Sequence, residues 1–331
     1  MLDAIRRILL AVFLALPLTG VLPAMAMEPI GMGIITGGTK GTYFQFGLDM
    51  QKLLKPQGFN LSVYESSGSV ENIFAVYQRP RTQMGIVQSD VLAFVAKVQT
   101  DPVLQRIANR IKMVFPLYNE EIHLLGHSDI SEFDDLAGRR VAIGKDGSGT
   151  YLTAKLLFEV SEVAPAEMVN IGTDEALAEL KAGRIDAMFY VAGFPVKLFR
   201  EGVTAADELA LVPILNKNIL EFYPAGEIPA GTYEWQAAAV STAAVKAVLI
   251  SYDFRRANCE YVGRVARIIA DNLAWLRQNG HPKWQAVDID YPLKGWEQYD
   301  CVRNYLDRSV PQETKPPAEI NPVLDAIKRM L

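Results

Sequence analysis

Three short loops in this 331-residue chain share one composition, rich in glycine, serine and threonine. They read TGGTKGTY at residues 36–43, SSGSVEN at residues 66–72 and GSGTY at residues 147–151. Each follows an apolar run that predicts a strand and precedes a pattern that predicts a helix. Glycine allows close backbone approach, hydroxyls add hydrogen-bond donors, and free N–H groups at a helix N-terminus attract anions. Together the loops could hold a carboxylate without an arginine.

Each loop also has a simpler interpretation, which is a tight turn followed by a helix cap. Ser69 and Ser148 are ordinary capping residue types, so for any single loop this explanation is as good as binding. Ligands of open parallel sheets bind beyond the carboxyl ends of the strands, and all three loops follow strands. Taken as a set, the loops favour a binding cleft.

Motifs for common enzyme chemistry are missing from the sequence. It has no G-x-x-x-x-G-K-[ST] phosphate loop, and Gly31 and Gly33 lack the third glycine of the dinucleotide fingerprint. No serine lies in G-x-S-x-G. His123 and His127 are four residues apart without H-E-x-x-H and fall on or just after a predicted strand. We therefore predict neither catalytic residues nor a metal site nor a cofactor.

Glu120 and Glu121 are the remaining candidates for acid–base chemistry. Neighbouring side chains on a strand point in opposite directions, so the two carboxyls make a poor catalytic pair. We expect both at a solvated edge.

The first 26 residues have the pattern of a cleavable export signal. Arg6 and Arg7 form the charged region, residues 8–18 the apolar region, and Ala24-Met25-Ala26 an A-x-A cleavage site. The apolar run is shorter than the roughly 20 residues of a membrane-spanning helix. No cysteine near the cleavage site offers a lipid anchor. The sequence therefore predicts a soluble periplasmic protein that begins near Met27.

The composition of the mature chain limits its size class and its partners. Half of the full sequence is apolar, enough for two domains with separate cores. The formal charge is -5, and removing Asp3, Arg6 and Arg7 with the signal takes it to -6. This acidic balance argues against nucleic acid or an anionic membrane surface as a partner. A small anionic ligand stays open, because local dipoles decide such sites.

Two cysteines, Cys259 and Cys301, lie in the last quarter of the chain. In an exported protein oxidation is the default, so we predict a disulfide that stabilises the fold by roughly 4 kcal/mol. The alternative is a pair of buried thiols, which the compartment makes less favourable.

Strand and helix patterns alternate along the mature chain in two series. The first predicts strands at 30–35, 60–65 and 83–87 and helices at 42–54, 70–77 and 89–98. The second predicts strands at 140–143, 168–171 and 187–191 and helices at 151–160, 174–182 and 195–200. Such alternation is typical of a parallel sheet built from βαβ units. We predict two similar α/β lobes.

Two apolar stretches are candidates for the connections between the lobes. Residues 113–125 should cross from the first lobe to the second, and residues 239–250 should cross back. A periodic apolar stripe predicts one helix over 254–279, stopped by Gly280 and Pro282 and packed on the first lobe. The expected division is lobe 1 at 27–122 with 241–331, and lobe 2 at 123–240.

The chain resembles the TAXI family of solute receptors, the binding subunits of one branch of TRAP transporters. The resemblance rests on six segments in family order, namely TGGTKGTY (36–43), ESSGSVEN (65–72), VQSD (87–90), LAGRRVAIGKDGSGT (136–150), GRIDAMFYVAG (183–193) and IPAGTY (228–233). It implies a two-lobed periplasmic binding protein fold, each lobe a mostly parallel sheet flanked by helices, with the ligand cleft between them.

The resemblance also implies a function and a set of binding residues. The protein would deliver glutamate, a related amino acid or a dicarboxylate to TRAP-type permease subunits. We expect it to be a monomer without catalytic activity. By position, the residues that would line the cleft are Gly38, Thr39, Tyr43, Ser67, Ser69, Asn72, Gln88, Ser89, Ser148, Gly149, Thr150 and Tyr190.

One position departs from the family pattern, since Lys40 stands where the first loop usually has another glycine. Its charge would enter or rim the cleft, or be solvated, and we favour a solvated lysine. Two other functions stay open: presentation of ligand to a membrane sensor or another permease, and catalysis by an exported enzyme on the same fold.

Overall fold

The computed structural model describes residues 28–91, 95, 102–254 and 258–306. The predicted export signal at 1–26 and most of the predicted helix at 89–98 lie outside the described residues. Residues 89–91 begin a helix directly after the third strand.

The first lobe is a βαβ series close to the prediction. Its elements are β1 (Ile30–Ile35), α1 (Thr42–Leu54), β2 (Phe59–Tyr64), α2 (Ser69–Gln78), β3 (Met84–Gln88) and the short α3 (Pro102–Ala108). β1 lies between β2 and β3 and is parallel to both. Its last four residues are buried because helices cover both faces of the sheet.

Two long strands connect the lobes, as the apolar stretches predicted. β4 (Ile111–His127) leaves the first lobe and β10 (Val240–Tyr252) returns to it. They pair antiparallel with each other, with irregular register near Lys246 and Ile250. Almost every residue of β4 is buried, which explains its continuous apolar sequence.

The second lobe repeats the alternation. Its elements are β5 (Arg140–Ala142), α4 (Gly149–Ser161), β6 (Glu167–Val169), α5 (Thr173–Lys181), β7 (Ala187–Ala192), α6 (Lys197–Gly202), β8 (Leu209–Leu211), α7 (Lys217–Phe222) and β9 (Ala225–Ile228). β5 is parallel to β6 and β7, while β7 and β8 pair antiparallel with β4. β8, β9 and α7 were not predicted, because they are too short to show a period.

The main path of the sheet is β2-β1-β3-β10-β4-β7-β5-β6. The strands inside each βαβ series are parallel, and the long strands in the middle are antiparallel to their neighbours. The result is the predicted two-lobed α/β fold with a cleft between the lobes. Neither long strand breaks between the lobes, so the lobe boundaries at 122/123 and 240/241 stay predictions.

The C-terminal region returns to the first lobe, as expected, but the single predicted helix is wrong. The chain forms α8 (Cys259–Asp271) and α9 (Leu273–Asn279), separated at Asn272. The Asn272 side chain donates to the Ile268 carbonyl over 2.8 Å, which competes with helical bonding. Val265 and Ile269 of α8 join the core cluster that contains Ile34.

A disulfide joins Cys259 to Cys301, as predicted, with the two Cα atoms 5.4 Å apart. It links the start of α8 to α10 (Asp300–Tyr305). These two helices pack so closely that a Cβ at Gly263 would lie 2.8 Å from the Cys301 carbonyl oxygen. The bridge therefore fixes α10 against the helix that covers the first lobe.

Candidate functional site

A cavity of about 80 Å³ lies between the lobes, where the three glycine-rich loops meet. Its walls come from the loop before α1, the loop before α2, the end of β3, the middle of β4, the start of α4 and β7. The lining residues are Gly37, Gly38, Gly41, Thr42, Tyr43, Ser67, Gly68, Ser69, Gln88, Glu120, Ser148, Gly149, Thr150, Tyr190, Val191 and Ala192.

The start of α1 offers free backbone donors to this cavity. Gly41 is the N-cap residue, and no described side chain caps the helix. The Gly41 N–H donates to the Gly38 carbonyl over 2.8 Å, which closes the turn in front of the helix. The next residues, Thr42 and Tyr43, line the cavity. A 13-residue helix with an uncapped N-terminus attracts negative charge at this end.

The start of α2 is arranged differently. Its N-cap is Gly68, whose φ of 127° and ψ of -153° favour glycine. The Val70 N–H donates to the Gly147 carbonyl over 3.2 Å, and the Ser67 N–H donates to the Glu71 carboxylate over 2.8 Å. Ser69 is not the cap, because its hydroxyl accepts from the Gln88 N–H over 3.1 Å. This loop therefore supplies shape more than free donors.

The start of α4 confirms the cap interpretation for Ser148. Its hydroxyl accepts from the Tyr151 N–H over 3.1 Å. The Thr150 hydroxyl oxygen accepts from the Val191 N–H over 3.1 Å, which ties the helix to β7. Ser148 and Thr150 therefore stabilise the fold and also line the cavity.

The two lobes touch around the cavity. Beside the bond from Val70 to Gly147, the Thr42 hydroxyl donates to the Gly193 carbonyl. At the rim, the Lys40 ammonium pairs with the Asp174 carboxylate at the start of α5. Both of these side chains are about half exposed. Loops of opposite lobes are therefore in contact around the cavity.

Two buried polar side chains, Gln88 and Glu120, lie at the floor of the cavity. Gln88 ends β3 and is 2% exposed, and its Oε1 atom has no hydrogen-bond partner among the described residues. Glu120 lies in the middle of β4, is also 2% exposed, and accepts a hydrogen bond from the Tyr43 hydroxyl over 2.7 Å. Burial, with nearby Asp90 adding to it, raises the pKa of Glu120 well above its ordinary value, although the bond from Tyr43 opposes the shift.

The expectation that Glu120 and Glu121 lie at a solvated edge is wrong, since both are buried. β4 is an internal strand, with β10 on one side and β7 on the other, and nearly all of its residues are buried. The two carboxyls do point in different directions. Glu120 faces the cavity, while Glu121 lies 2.6 Å from the Lys283 ammonium. Their position inside the apolar stretch 113–125 was the signal that could have placed them in the interior.

The pair of Glu121 and Lys283 lies behind the floor. Burial lowers the pKa of Lys283 and raises the pKa of Glu121, and in each case the partner's charge opposes the shift. The Lys283 ammonium also lies 3.7 Å from the ring centroid of Phe194, a residue just after β7. Breaking such a pair by removing one partner is costly, because an uncompensated charge stays buried.

His123 has a structural role on β4. Its Nδ1 lies 3.0 Å from the Glu121 carbonyl, and its Nε2 lies 2.9 Å from the Tyr233 hydroxyl. Burial lowers its pKa to about 3, so the ring is neutral. The Nδ1–H then donates to the carbonyl, and Nε2 accepts from Tyr233. The segment IPAGTY thus serves the second lobe's core. Among the described residues, no three metal-binding side chains come together.

The structure brings most of the predicted site residues together. Those that line the cavity are Gly38, Tyr43, Ser67, Ser69, Gln88, Ser148, Gly149, Thr150 and Tyr190. Their ligand contacts stay predictions. Lys40 lies outside, at a second cavity of about 100 Å³ on the rim.

The predicted residues Thr39, Asn72 and Ser89 do not line the cavity. Asn72 is fully buried, and its amide donates to the Thr36 and Ile86 carbonyls. It also accepts from the Ser66 hydroxyl over 2.7 Å. Asn72 therefore holds the ends of β1 and β3 and the second loop in place. Thr39 uses its carbonyl to accept from the Gln45 side chain.

Two solved structures share this fold at low sequence identity. A protein of Bordetella bronchiseptica RB50 is 15% identical, with a TM-score of 0.52 over 91% of this chain and 97% of that one. An ABC uptake transporter substrate binding protein from Streptococcus pneumoniae with bound histidine is 13% identical, with a TM-score of 0.50 over 79% and 94%. Among the described residues of this chain, no helix is both long and apolar enough to span a bilayer.

The sequence also matches a family model over residues 34–295, which include all three glycine-rich loops and both long strands. That match spans most of the chain. The protein belongs to the NMT1-like family.

Proposed function

We propose that this protein is an exported solute-binding receptor that captures a small carboxylate-bearing molecule between its lobes and delivers it to a TRAP-type membrane permease. One observation carries the proposal: a cavity to which loops of both lobes contribute, with the lobes in contact around it. A ligand that touches both lobes favours the closed state by its differential affinity.

The ligand carboxylate would be bound at the uncapped start of α1. There Thr42 and Tyr43 of the first turn line the cavity, and the helix dipole favours negative charge. Gly38 and Gly149 would let backbone approach from the two lobes, and Tyr190 would close one wall. Lys40 would act only at the rim, since its charge is already paired with Asp174.

Delivery to a permease, the TAXI branch and the periplasmic location are supported by the six sequence segments and the export signal. Presentation to a membrane sensor or to a different permease would use the same capture step. The bound histidine of the Streptococcus pneumoniae protein is compatible with an amino acid as ligand. We propose a monomer, because one chain contains both walls of the cavity.

The capture step is tested by native mass spectrometry of the purified full chain, followed by thermal shift with glutamate, other amino acids and dicarboxylates. We expect a co-purified carboxylate, or a melting temperature that rises with one of these compounds, because a ligand that binds only the folded state stabilises it. If no carboxylate co-purifies and none of these compounds raises the melting temperature, the proposal of a carboxylate receptor is wrong.

The enzymatic alternative is separated by recovering the ligand after long incubation with the protein. Unchanged ligand supports a receptor, and a chemically altered one would assign catalysis to the site. Delivery is tested by reconstitution: the loaded protein should transfer its ligand to vesicles that hold the cognate permease only in the presence of an ion gradient.

A further inference from the structure

The second cavity, of about 100 Å³, lies at the rim of the cleft. It is a neighbour of the main cavity, because Gly41 and Thr42 at the start of α1 line both. One water molecule needs roughly 10–15 Å³ of such space, so the rim cavity has room for a small polyatomic ion. Both lobes contribute to its walls, which are formed by Lys40, Gly41, Thr42, Gln45, Pro195, Lys197, Arg200 and His281.

The lining of the rim cavity is basic. Lys40 comes from the first lobe, Lys197 and Arg200 come from α6 of the second, and no carboxylate lies among the described lining residues. His281 adds no charge of its own, because burial, with Lys283 and Arg200 adding to the effect, lowers its pKa to about 4. Three cations around one small space attract an anion.

The second lobe offers hydrogen-bond donors that the described part of the chain does not use. Glu201 lies 3.9 Å from the Lys197 ammonium and 3.6 Å from the Arg200 guanidinium, and both distances exceed a normal hydrogen bond. Two cations therefore share one carboxylate at long range. Their side-chain N–H groups form no hydrogen bond with any described residue, which leaves several charged donors available on this wall.

The first lobe adds donors to the same cavity. The Lys40 ammonium pairs with the Asp174 carboxylate, and an ammonium has two further N–H groups. The Gln45 amide donates one N–H to the Thr39 carbonyl over 3.1 Å and has a second. The rim cavity thus has donors from opposite lobes, in contrast to a surface patch on one lobe alone.

We propose that the rim cavity is a second binding site, which takes a small tetrahedral oxyanion such as inorganic phosphate or sulfate. Lys197 and Arg200 donate to it from the second lobe, and Lys40 and Gln45 donate from the first. A tetrahedral anion has acceptor oxygens in several directions, whereas a carboxylate has two oxygens on one side, so donors from two walls suit the former.

An anion at this place would also act on the lobes. Because it contacts both of them, it favours the state in which they touch. The His281 ring already joins the lobes here, since its Nε2 lies 3.2 Å from the Pro195 carbonyl oxygen. This inference goes beyond capture in the main cavity and does not depend on the identity of the captured molecule.

Binding is measured by equilibrium dialysis of the full chain against radiolabelled inorganic phosphate. Sodium chloride at about 0.15 M screens non-specific attraction to the surface. One phosphate per chain should bind saturably, and unlabelled sulfate should displace it. Additional chloride at the same ionic strength as the sulfate should displace much less, because a monatomic ion cannot accept from both walls at once.

The variants Lys197→Gln and Arg200→Gln each remove one charge from the second-lobe wall. Their side chains are 44% and 56% exposed, so the fold should tolerate both changes. Each should weaken phosphate binding by about 3-fold to 10-fold, since one charge-assisted hydrogen bond is lost at a partly screened position. The double variant should show no saturable binding. Arg184→Gln, an exposed charge of the second lobe outside the rim cavity, is the matched control and should bind like the parent.

The effect on the lobes is measured by small-angle scattering with phosphate alone. Phosphate should reduce the radius of gyration of the parent and of Arg184→Gln, and should not reduce that of the double variant. A melting temperature is a poorer measure here, because phosphate and sulfate stabilise folded proteins through their exclusion from the surface.

Three results would each overturn the anion site: phosphate binding that does not saturate, displacement by chloride as readily as by sulfate, and equal binding by the parent and the double variant. Saturable binding that requires Lys197 and Arg200 but causes no compaction would support the site and overturn its effect on the lobes. If one single variant does not fold, as judged by circular dichroism, the other decides. Capture in the main cavity is tested with carboxylates, so the two proposals fail separately.

Discussion

A methyl group added at Gly149 tests whether the lobes must touch for the ligand to bind. Gly149 starts α4 in the second lobe, and a Cβ placed there would lie 1.7 Å from Oε1 and 2.4 Å from Cδ of Gln88. It would also lie 3.0 Å from the Ser69 hydroxyl oxygen. Both neighbours belong to the first lobe and are buried, so they would have to shift for the lobes to stay in contact.

The clash at Gly149 exists only while the lobes are together. Overpacking of a buried contact costs about 1–3 kcal/mol, so this cost opposes closure of the cleft. Gly149→Ala should therefore lower ligand affinity by about 5-fold to 150-fold, because part of the binding free energy is used to close against the clash. Gly149→Val should lower it further. An open cleft removes the clash, so unfolding of the free protein should change little.

The assay combines calorimetry for affinity with small-angle scattering for ligand-induced compaction. The control is Gly31→Ala, since a Cβ at Gly31 in β1 meets nothing within 4 Å. The control should bind and compact like the parent. If Gly149→Ala also binds within twofold of the parent and compacts fully, approach of α4 to Gln88 is not needed, and capture by cleft closure is wrong.

Three further predictions address the disulfide, the rim and the buried histidine. Mass analysis without reductant should find Cys259 and Cys301 joined, and two thiols that alkylate in the folded, unreduced protein would contradict the bridge. Lys40→Ala should weaken carboxylate binding by about 1 kcal/mol or less by calorimetry, because its ion pair is exposed and solvent screens it; a loss of several kcal/mol would mean that Lys40 binds the ligand directly. His123→Gln should make the free energy of unfolding less dependent on acid pH. Burial depresses the pKa of His123 from 6.5 to about 3, so below pH 6.5 the unfolded chain gains a proton that the folded state does not. The stability that is present above pH 6.5 is therefore lost as the pH falls. Urea unfolding should show the parent losing about 3 kcal/mol more than the variant between pH 7 and pH 4, and equal losses would show that His123 is protonated in the folded state.

The regular elements were predictable where packing repeats along the chain. β1 and α1 have the predicted bounds, because a fully buried strand and a one-sided helix leave clear periods in the sequence. β8 and β9 are three and four residues long and owe their existence to pairing with β4 and β10. Their formation depends on the tertiary fold and leaves no periodic signal.

The loops of the site were predictable, but the role of each side chain within them was not. Glycine and hydroxyl residues after strands predicted loops that the structure brings together at one cavity, and ligand binding there stays a prediction. A residue that lines the cavity can still have its hydroxyl occupied by the protein, as Ser69 does when its hydroxyl accepts from the Gln88 N–H. Asn72 has the right type and position for a ligand contact, yet its amide holds two strand ends. Only three-dimensional neighbours distinguish these cases.

Glu120 shows how a rule about neighbours along a strand can mislead. The rule that adjacent side chains face opposite ways held, but it gives a solvated edge only when one face of the strand is exposed. β4 is covered on both faces, so Glu120 is buried against the cavity and Glu121 against Lys283. Glu121 is also where β4 begins to pair with β7.

That arrangement places the floor of the cavity and the junction of the lobes on adjacent residues. Behind the cavity, Glu121 and Lys283 connect the C-terminal region of the first lobe to β4, and Lys283 lies against Phe194 of the second lobe. Glu120 and this pair act on each other through a poorly screened interior, since Glu121 raises and Lys283 lowers the pKa of Glu120. Substitutions of Glu120 should therefore also shift the equilibrium between open and closed lobes, so affinity and compaction need to be measured on the same variant.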